Sequence, residues 1–469
     1  MTRHGDRASY LLERAWVGGA VRDDVLVEIA DGRFTSVTVP GLSSHFPGVA
    51  AASKRQIPRF SGGFDGGGSG GERGDAPTRL GGLTVPGLAN CHSHAFHRAL
   101  RGRTQRDRGT FWTWRQQMYD VAARLDPDSY HALATVTYRE MVAAGITSVG
   151  EFHYLHHQPD GTPYAEPNAM GLALVEAAGA AGLRITLLDT CYLSSGFGAP
   201  PEGAQVRYDD GSAEGWAERV RGLSEDDGSR IGAAVHSVRA VPRDQLPKVV
   251  EAASGRPLHV HLSEQVAEND ACVREYGASP TRVLAEAGAL GALTTAVHAT
   301  HLTPDDVRLL GDSATFSCFC PTTERDLGDG IGPSRALHDA GSPLTLGSDS
   351  QAVIDPFEEM RAVELDERLA SQRRGHWTAS ELLAAATRHD SLGWDDAGEI
   401  AVGRRADLVT VATDRVRTAG TGADEQTLVF AATAEDVTHV IADGRVVFVE
   451  DDRERLGRDL DRVVGRIWA

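Results

Sequence analysis

Short apolar runs rich in leucine and β-branched residues recur through the middle of the chain, separated by alanine-rich stretches whose apolar positions return with helical spacing. The runs cover residues 83–91, 147–152, 184–189, 231–236, 257–262, 295–299, 314–318 and 344–349, and segments such as 130–144, 168–181 and 213–223 read as the helices between them. Eight such units predict an α/β fold, a (β/α)8 TIM-like barrel whose reactive groups gather at the C-terminal ends of its strands. An open doubly wound sheet uses the same units but would not bring the first strand beside the eighth.

Both chain ends leave this rhythm. Residues 10–39 alternate apolar and polar positions around an Asp31-Gly32 turn, which predicts a β-hairpin too small to fold alone. Residues 396–411 and 437–449 return to strand-and-turn sequence, so the economical arrangement pairs the two ends into one small β-sandwich beside the barrel. The expected division is 1–82 for the N-terminal part of the sandwich, 83–395 for the catalytic barrel, and 396–469 for the C-terminal part with a tail. Residues 42–79 read as a mobile surface insertion, because nothing near the glycine-rich stretch 61–71 offsets its backbone entropy. That stretch lacks the GK[ST] ending and following helix of a phosphate-binding loop.

A chain of 469 residues with 41% hydrophobic content can fill a barrel and an appendage. Its formal net charge of -19 argues against nucleic acid or an anionic membrane as the principal partner, and an anionic substrate then requires a local cationic pocket. Cys91, Cys191, Cys272, Cys318 and Cys320 lack CxxC spacing, so neither a disulfide framework nor a thiolate zinc site is expected. The sequence shows no signal-peptide core and no run of the roughly 18 apolar residues a membrane span needs, which leads to the expectation of a cytoplasmic protein.

Candidate chemistry sits where the barrel strands end. In Asn90-Cys91-His92-Ser93-His94 the two histidines stand at i and i+2 of a strand, so both imidazoles face one way and can reach one ion. Later runs end in matching groups: His259-Val260-His261, Val297-His298 and Gly347-Ser348-Asp349. Three nitrogen donors and one carboxylate, with a further histidine nearby, suit a catalytic zinc centre that keeps a place for water. Each alone is more simply a hydrogen-bonded core histidine or a loop aspartate; their repetition at strand ends points to a site. Glu151, His153 and His236 fall at strand ends too.

With these motifs the chain resembles the amidohydrolase superfamily over nearly its whole length. Within it, Asn90-Cys91-His92-Ser93-His94-Ala95-Phe96, Phe111-Trp112-Thr113-Trp114-Arg115, Glu151-Phe152-His153-Tyr154-Leu155-His156-His157 and His236-Ser237-Val238-Arg239-Ala240 are similar to the formimidoylglutamate deiminases of histidine breakdown. The resemblance implies one zinc ion held by His92, His94, His261 and Asp349, with His298 touching the water or the leaving nitrogen. It implies a single metal because strand four ends in His236, whereas two-metal members carry a bridging Lys, Glu or Cys on strand three or four.

The implied reaction converts N-formimino-L-glutamate to N-formyl-L-glutamate and ammonia. Glu264, three residues past His261, would shuttle the proton beside His298 and Asp349. Arg239 and Tyr154 would clamp the α-carboxylate and Arg115 the side-chain carboxylate, with His97 and His236 completing the substrate pocket. The resemblance also implies a homodimer. His97 departs from the family, which usually carries Gln there, though an imidazole also donates and accepts. Two other readings stand beside this one. A related deaminase or chlorohydrolase acting on a ring such as guanine or an aminotriazine predicts an aromatic, uncharged pocket. A barrel that lost activity and serves as a binding protein predicts a missing ligand or a missing Glu264, and neither is missing.

Overall fold

The computed structural model describes residues 7–41, 76–109 and 111–469. The chain opens with β1 (Arg7–Val17), β2 (Ala20–Ala30) and β3 (Arg33–Thr38), paired antiparallel in sequence order. The predicted Asp31-Gly32 turn joins the last two. A second two-residue turn, Gly18-Gly19 at φ 61° and 79°, makes this segment a three-stranded meander in place of one hairpin. Most of the predicted insertion, residues 42–75, lies outside the described residues. Its last residues do not belong to it, since Thr78 and Arg79 open β4 (Thr78–Pro86), which pairs parallel with β1.

The run read as the first barrel strand divides at Gly87. Leu83 to Pro86 stay with β4, and β5 (Leu88–Ser93) begins the barrel, so the small sheet reaches past residue 82. A Cβ at Gly87 would lie 2.2 Å from Thr147 Oγ1 and 2.8 Å from Asp407 Cβ, and only glycine passes through that gap.

The barrel continues with β6 (Ile146–His153), β7 (Arg184–Cys191), β8 (Ser229–Val235), β9 (Leu258–Leu262), β10 (Thr294–His298), β11 (Phe316–Phe319) and β12 (Leu344–Leu346), each parallel to its predecessor. Helices Pro127–Ala143, Ala169–Ala181 and Ala213–Val220 lie close to their predicted positions. Strands buried on both faces read as continuous apolar runs, which is why they were visible in the sequence. The sheet closes between β12 and β5 through a parallel bridge from Ser93 to Asp349. At this seam Ser348 N and Asp349 N donate to His92 O at 3.1 and 2.9 Å, and His94 N donates to Asp349 O at 3.0 Å. The Asn90 side chain donates to Ser348 Oγ at 2.6 Å and accepts from Ser348 N at 2.9 Å.

The chain ends with β13 (Leu408–Val411), β14 (Val437–Ala442), β15 (Arg445–Val449) and the helix Arg453–Trp468. The second sheet runs β15-β14-β13-β4-β1-β2-β3, so both chain ends build it, as expected. Leu12, Val25, Val27, Phe34, Val37, Leu408 and Ile441 form its own buried core. The segment read as a tail is the terminal helix, whose Trp468 Nε1 donates to Ala99 O at 2.8 Å, beside the turn that follows the His-x-His pair. No helix among the described residues is long and apolar enough to cross a membrane.

Arg184, at the start of β7, joins the two sheets. Its buried guanidinium forms a two-bond pair with Asp407 and reaches Asp443 Oδ1 at 3.0 Å, while Asp407 also accepts Asp443 N at 2.9 Å. Removing one partner of a buried pair strands the other charge. Asp407→Ala is therefore expected to lower the unfolding free energy by about 3 to 5 kcal/mol in denaturant titrations. A loss below about 1 kcal/mol would show that the pair does not tie the sheets together.

Candidate active site

The ends of β5, β9 and β10 and the segment after β12 bring His92, His94, His261, His298 and Asp349 together. His92 Nε2 lies 3.1 Å from His261 Nε2, and Asp349 Oδ1 lies 3.4 Å from His92 Nε2 and 3.3 Å from His94 Nε2. Ligand atoms held about 2.0–2.1 Å from one tetrahedral ion stand about 3.3 Å from each other, which is the spacing of His92, His94 and Asp349; His261 meets this triad through His92, with which it and His298 form a second triad. The donor set of three imidazoles and one carboxylate fits zinc. His94 Nδ1 sits 2.9 Å from Phe152 O; a carbonyl only accepts, so Nδ1 carries the proton and Nε2 presents its lone pair to the cluster.

Electrostatics agree with that use. Burial pushes His92 down to about 3 against the pull of Asp349, and burial lowers His94 and His261 as well, which keeps the imidazoles in the neutral form a metal requires. Burial alone would raise Asp349, but His92, His298 and His94 outweigh it and hold its carboxyl well below the usual carboxylate range. His298 is the opposite case. Burial would lower it, yet Glu264, Glu324 and Asp349, at 4.0, 3.5 and 3.8 Å, hold it well above the ordinary imidazole value. Ser263, His298 and Asp349 adopt φ of 51°, 69° and 39°, left-handed conformations that cost non-glycine residues on the order of 1–3 kcal/mol each. Such strain collects at functional sites and persists because the seam and neighbouring strands fix the backbone.

Glu151 of β6 grips the chain on both sides of His94. Its carboxylate accepts Ser93 Oγ at 2.7 Å and Ala95 N at 2.6 Å, and burial pushes it up to about 8. The sequence put Glu151 at a strand end but gave it no part in the site. Another triad of possible ligands, His153, His156 and Asp189, is already committed. Arg219 donates to both Asp189 oxygens at 2.8 and 2.9 Å, Trp216 Nε1 donates to one at 3.0 Å, and His156 Nε2 donates to Thr190 O at 2.9 Å. That cluster is a buried ion network beneath the barrel mouth.

A pocket opens over the metal-type residues. Every site residue named from the sequence lines it except His92, which is fully buried against its neighbours: His94, His97, Arg115, Tyr154, His236, Arg239, His261, Glu264, His298 and Asp349 converge on one space. His97 Nε2 lies 3.0 Å from Tyr154 Oη, so His97 holds the tyrosine hydroxyl. Arg239 forms no ion pair with a carboxylate among the described residues. Burial would lower it, but Glu268, Tyr192 and Glu264 outweigh that and keep it charged. Sequence reasoning missed Tyr119, Tyr192 and Tyr208, which also line the pocket. Tyr119 stands one helical turn after Arg115 and Tyr192 directly follows β7, two signals that could have found them. Tyr208 ends a loop turn with no such signal.

The amidohydrolase family profile matches residues 83–447. The chain belongs to that family. It is a hydrolase acting on carbon–nitrogen bonds. It is 36% identical over 416 residues to formimidoylglutamate deiminase of Pseudomonas aeruginosa, covering 84% of this chain and 91% of that protein. It is 28% identical to 8-oxoguanine deaminase of the same organism, covering 82% and 86%. Among solved structures, an amidohydrolase from Brucella melitensis superposes with a TM-score of 0.84 at 29% identity, covering 98% of this chain and all of that one.

Removing the Glu151 carboxylate leaves a buried hydroxyl and a buried amide without acceptors, each costing about 1–3 kcal/mol. Glu151→Ala is accordingly expected to lose about 2–6 kcal/mol of stability in chemical denaturation, and Glu151→Gln, which keeps one acceptor oxygen, less than half of that. Equal losses for the two would contradict the bonding described.

Proposed function

We propose that this protein hydrolyses N-formimino-L-glutamate to N-formyl-L-glutamate and ammonia. The observation that carries the reading is Arg239, a charged guanidinium that lines the same pocket as the metal-type residues and forms no ion pair with a carboxylate among the described residues. A group of that kind, in an acidic protein, suits an anionic substrate. The 36% identity to a formimidoylglutamate deiminase supports the same substrate class.

His92, His94, His261 and Asp349 would hold one zinc ion. When bound, such an ion lowers the pKa of water from 15.7 to about 7 and so supplies a nucleophile at neutral pH. Glu264 faces the same space, with Oε1 4.0 Å from His298 Nε2, and burial pushes it up while His298 opposes. It takes a proton from the attacking water and passes it to the departing nitrogen as the carbon–nitrogen bond breaks. His298 donates to the charge that develops at the formimino carbon's substituents. Arg239 and Tyr154 grip the α-carboxylate and Arg115 the side-chain carboxylate, which orients the formimino group toward Glu264. His97 braces Tyr154 from behind through their 3.0 Å contact, and His236 packs against the His261 ring at 5.0 Å between centroids.

The tyrosines and Trp114 around the pocket also suit a planar ring, the second reading. What favours the dicarboxylate is the pair of guanidiniums, for which a neutral purine or triazine has no use. A complete ligand set with Glu264 in place supports a catalyst over a binding protein.

His261→Ala is expected to lose its bound metal in elemental analysis, whereas Glu264→Gln should keep one metal per chain and lose about 10²–10⁴-fold in kcat. Two metals per chain in the wild type, or a Glu264→Gln enzyme within about threefold of wild type, would defeat these assignments. For the substrate, Arg239→Met is expected to cost about 2 to 5 kcal/mol in kcat/KM with N-formimino-L-glutamate, and Arg239→Lys less, since lysine lacks the two-bond fork. A substrate without the α-carboxylate should not register the change. Equal activity of Arg239→Met and wild type on both would move the ring reading ahead.

A further inference from the structure

Gln205 is a buried residue on the turn Gly203–Tyr208, and its amide bonds the hydroxyls of two pocket tyrosines. Its Oε1 accepts Glu202 N at 3.1 Å, which orients the amide and turns Nε2 toward the tyrosines. Nε2 donates to Tyr192 Oη at 2.7 Å and to Tyr119 Oη at 3.1 Å. Arg115 Nε donates to Tyr119 Oη as well, at 2.6 Å. A phenol oxygen that receives two N–H donors has both acceptor positions filled, so the Tyr119 proton points in a third direction. The Tyr192 oxygen receives one donor and keeps its own proton to give. Neither the Gln205 nitrogen nor the Arg115 nitrogen can accept those protons.

Both rings line the pocket, and beside them Tyr208 Oη, in a residue 1% exposed, has no partner among the described residues. This end of the pocket therefore presents phenol hydroxyls and guanidinium groups together, all of them donors. An acceptor with several lone pairs and negative charge, a carboxylate, satisfies such a set.

We propose that Tyr119 and Tyr192 are specificity-determining donors to the substrate's side-chain carboxylate, and that Gln205 is the positioning residue that turns their protons toward it. This rests on the dicarboxylate reading above and adds the neutral groups that recognise the second carboxylate. Gln205 itself touches no substrate; it acts through the two hydroxyls.

The test compares steady-state constants for N-formimino-L-glutamate with those for N-formimino-L-2-aminobutyrate, which lacks the side-chain carboxylate. Tyr119→Phe and Tyr192→Phe are each expected to raise KM for the dicarboxylate about tenfold, and the double variant about a hundredfold. The changes in kcat, and in both constants for the monocarboxylate, should stay within about threefold. Gln205→Glu replaces the donor with an acceptor that draws the phenol protons away from the pocket, so its KM should rise at least as far as in the double variant. Gln205→Met keeps the volume without directing the protons and should fall between. The Tyr→Phe pair keeps the proposal testable if a Gln205 variant fails to fold. If wild type hydrolyses N-formimino-L-glutamate and the Tyr→Phe variants leave its KM unchanged, or weaken both substrates equally, this assignment alone is overturned. If wild type hydrolyses neither substrate, the deiminase reading falls and this one with it.

Discussion

A seam a few hydrogen bonds long, where β12 meets β5, is the constraint on which the rest of the structure depends. His92 O receives the amides of Ser348 and Asp349, and Asn90 and Ser348 exchange two bonds across the gap. Gly347 permits the approach: a Cβ there would lie 2.8 Å from His92 Cβ and 2.9 Å from Cys320 Sγ. The same residues that close the barrel thus place the Asp349 carboxylate against His92 and His94. Closure and the candidate metal cluster are one event, and the left-handed backbone at Asp349 is where its cost is stored. Glu151 acts on the other side of β5, fixing Ser93 and Ala95 so that His94 cannot turn away.

Much of this was legible in the sequence, for physical reasons that differ by residue. Parallel strands buried on both faces leave apolar runs, and a (β/α)8 barrel leaves its reactive residues at the ends of those runs, so His92, His94, His261, His298 and Asp349 could be read as a group. The second sheet was legible because the N-terminal end alternates with period two and the C-terminal end returns to strand-and-turn sequence. Gly87 was not, because a run that leaves one sheet and enters another without a turn looks like a single strand. Gly18-Gly19 hid a turn inside an alternating pattern. Glu151 and Gln205 were out of reach for another reason: each acts by bonding residues distant in sequence, and nothing in the local pattern shows what a buried polar side chain will meet.

The charge distribution links fold to function. A chain of net charge -19 places Arg115 and Arg239 at the mouth of the barrel, where phenols and imidazoles held neutral by burial surround them. A low-dielectric wall strengthens a guanidinium's attraction for a carboxylate and penalises a substrate that leaves it unpaired. On the proposed function, specificity comes from what the pocket would otherwise leave unsatisfied, and reactivity from the cluster that the seam assembles.

The most direct test of the account is ammonia release by metal-replete protein from N-formimino-L-glutamate, measured beside guanine at equal concentration. The account predicts one ammonia for each N-formyl-L-glutamate formed and no turnover of guanine. Deamination of guanine with N-formimino-L-glutamate left intact would contradict it.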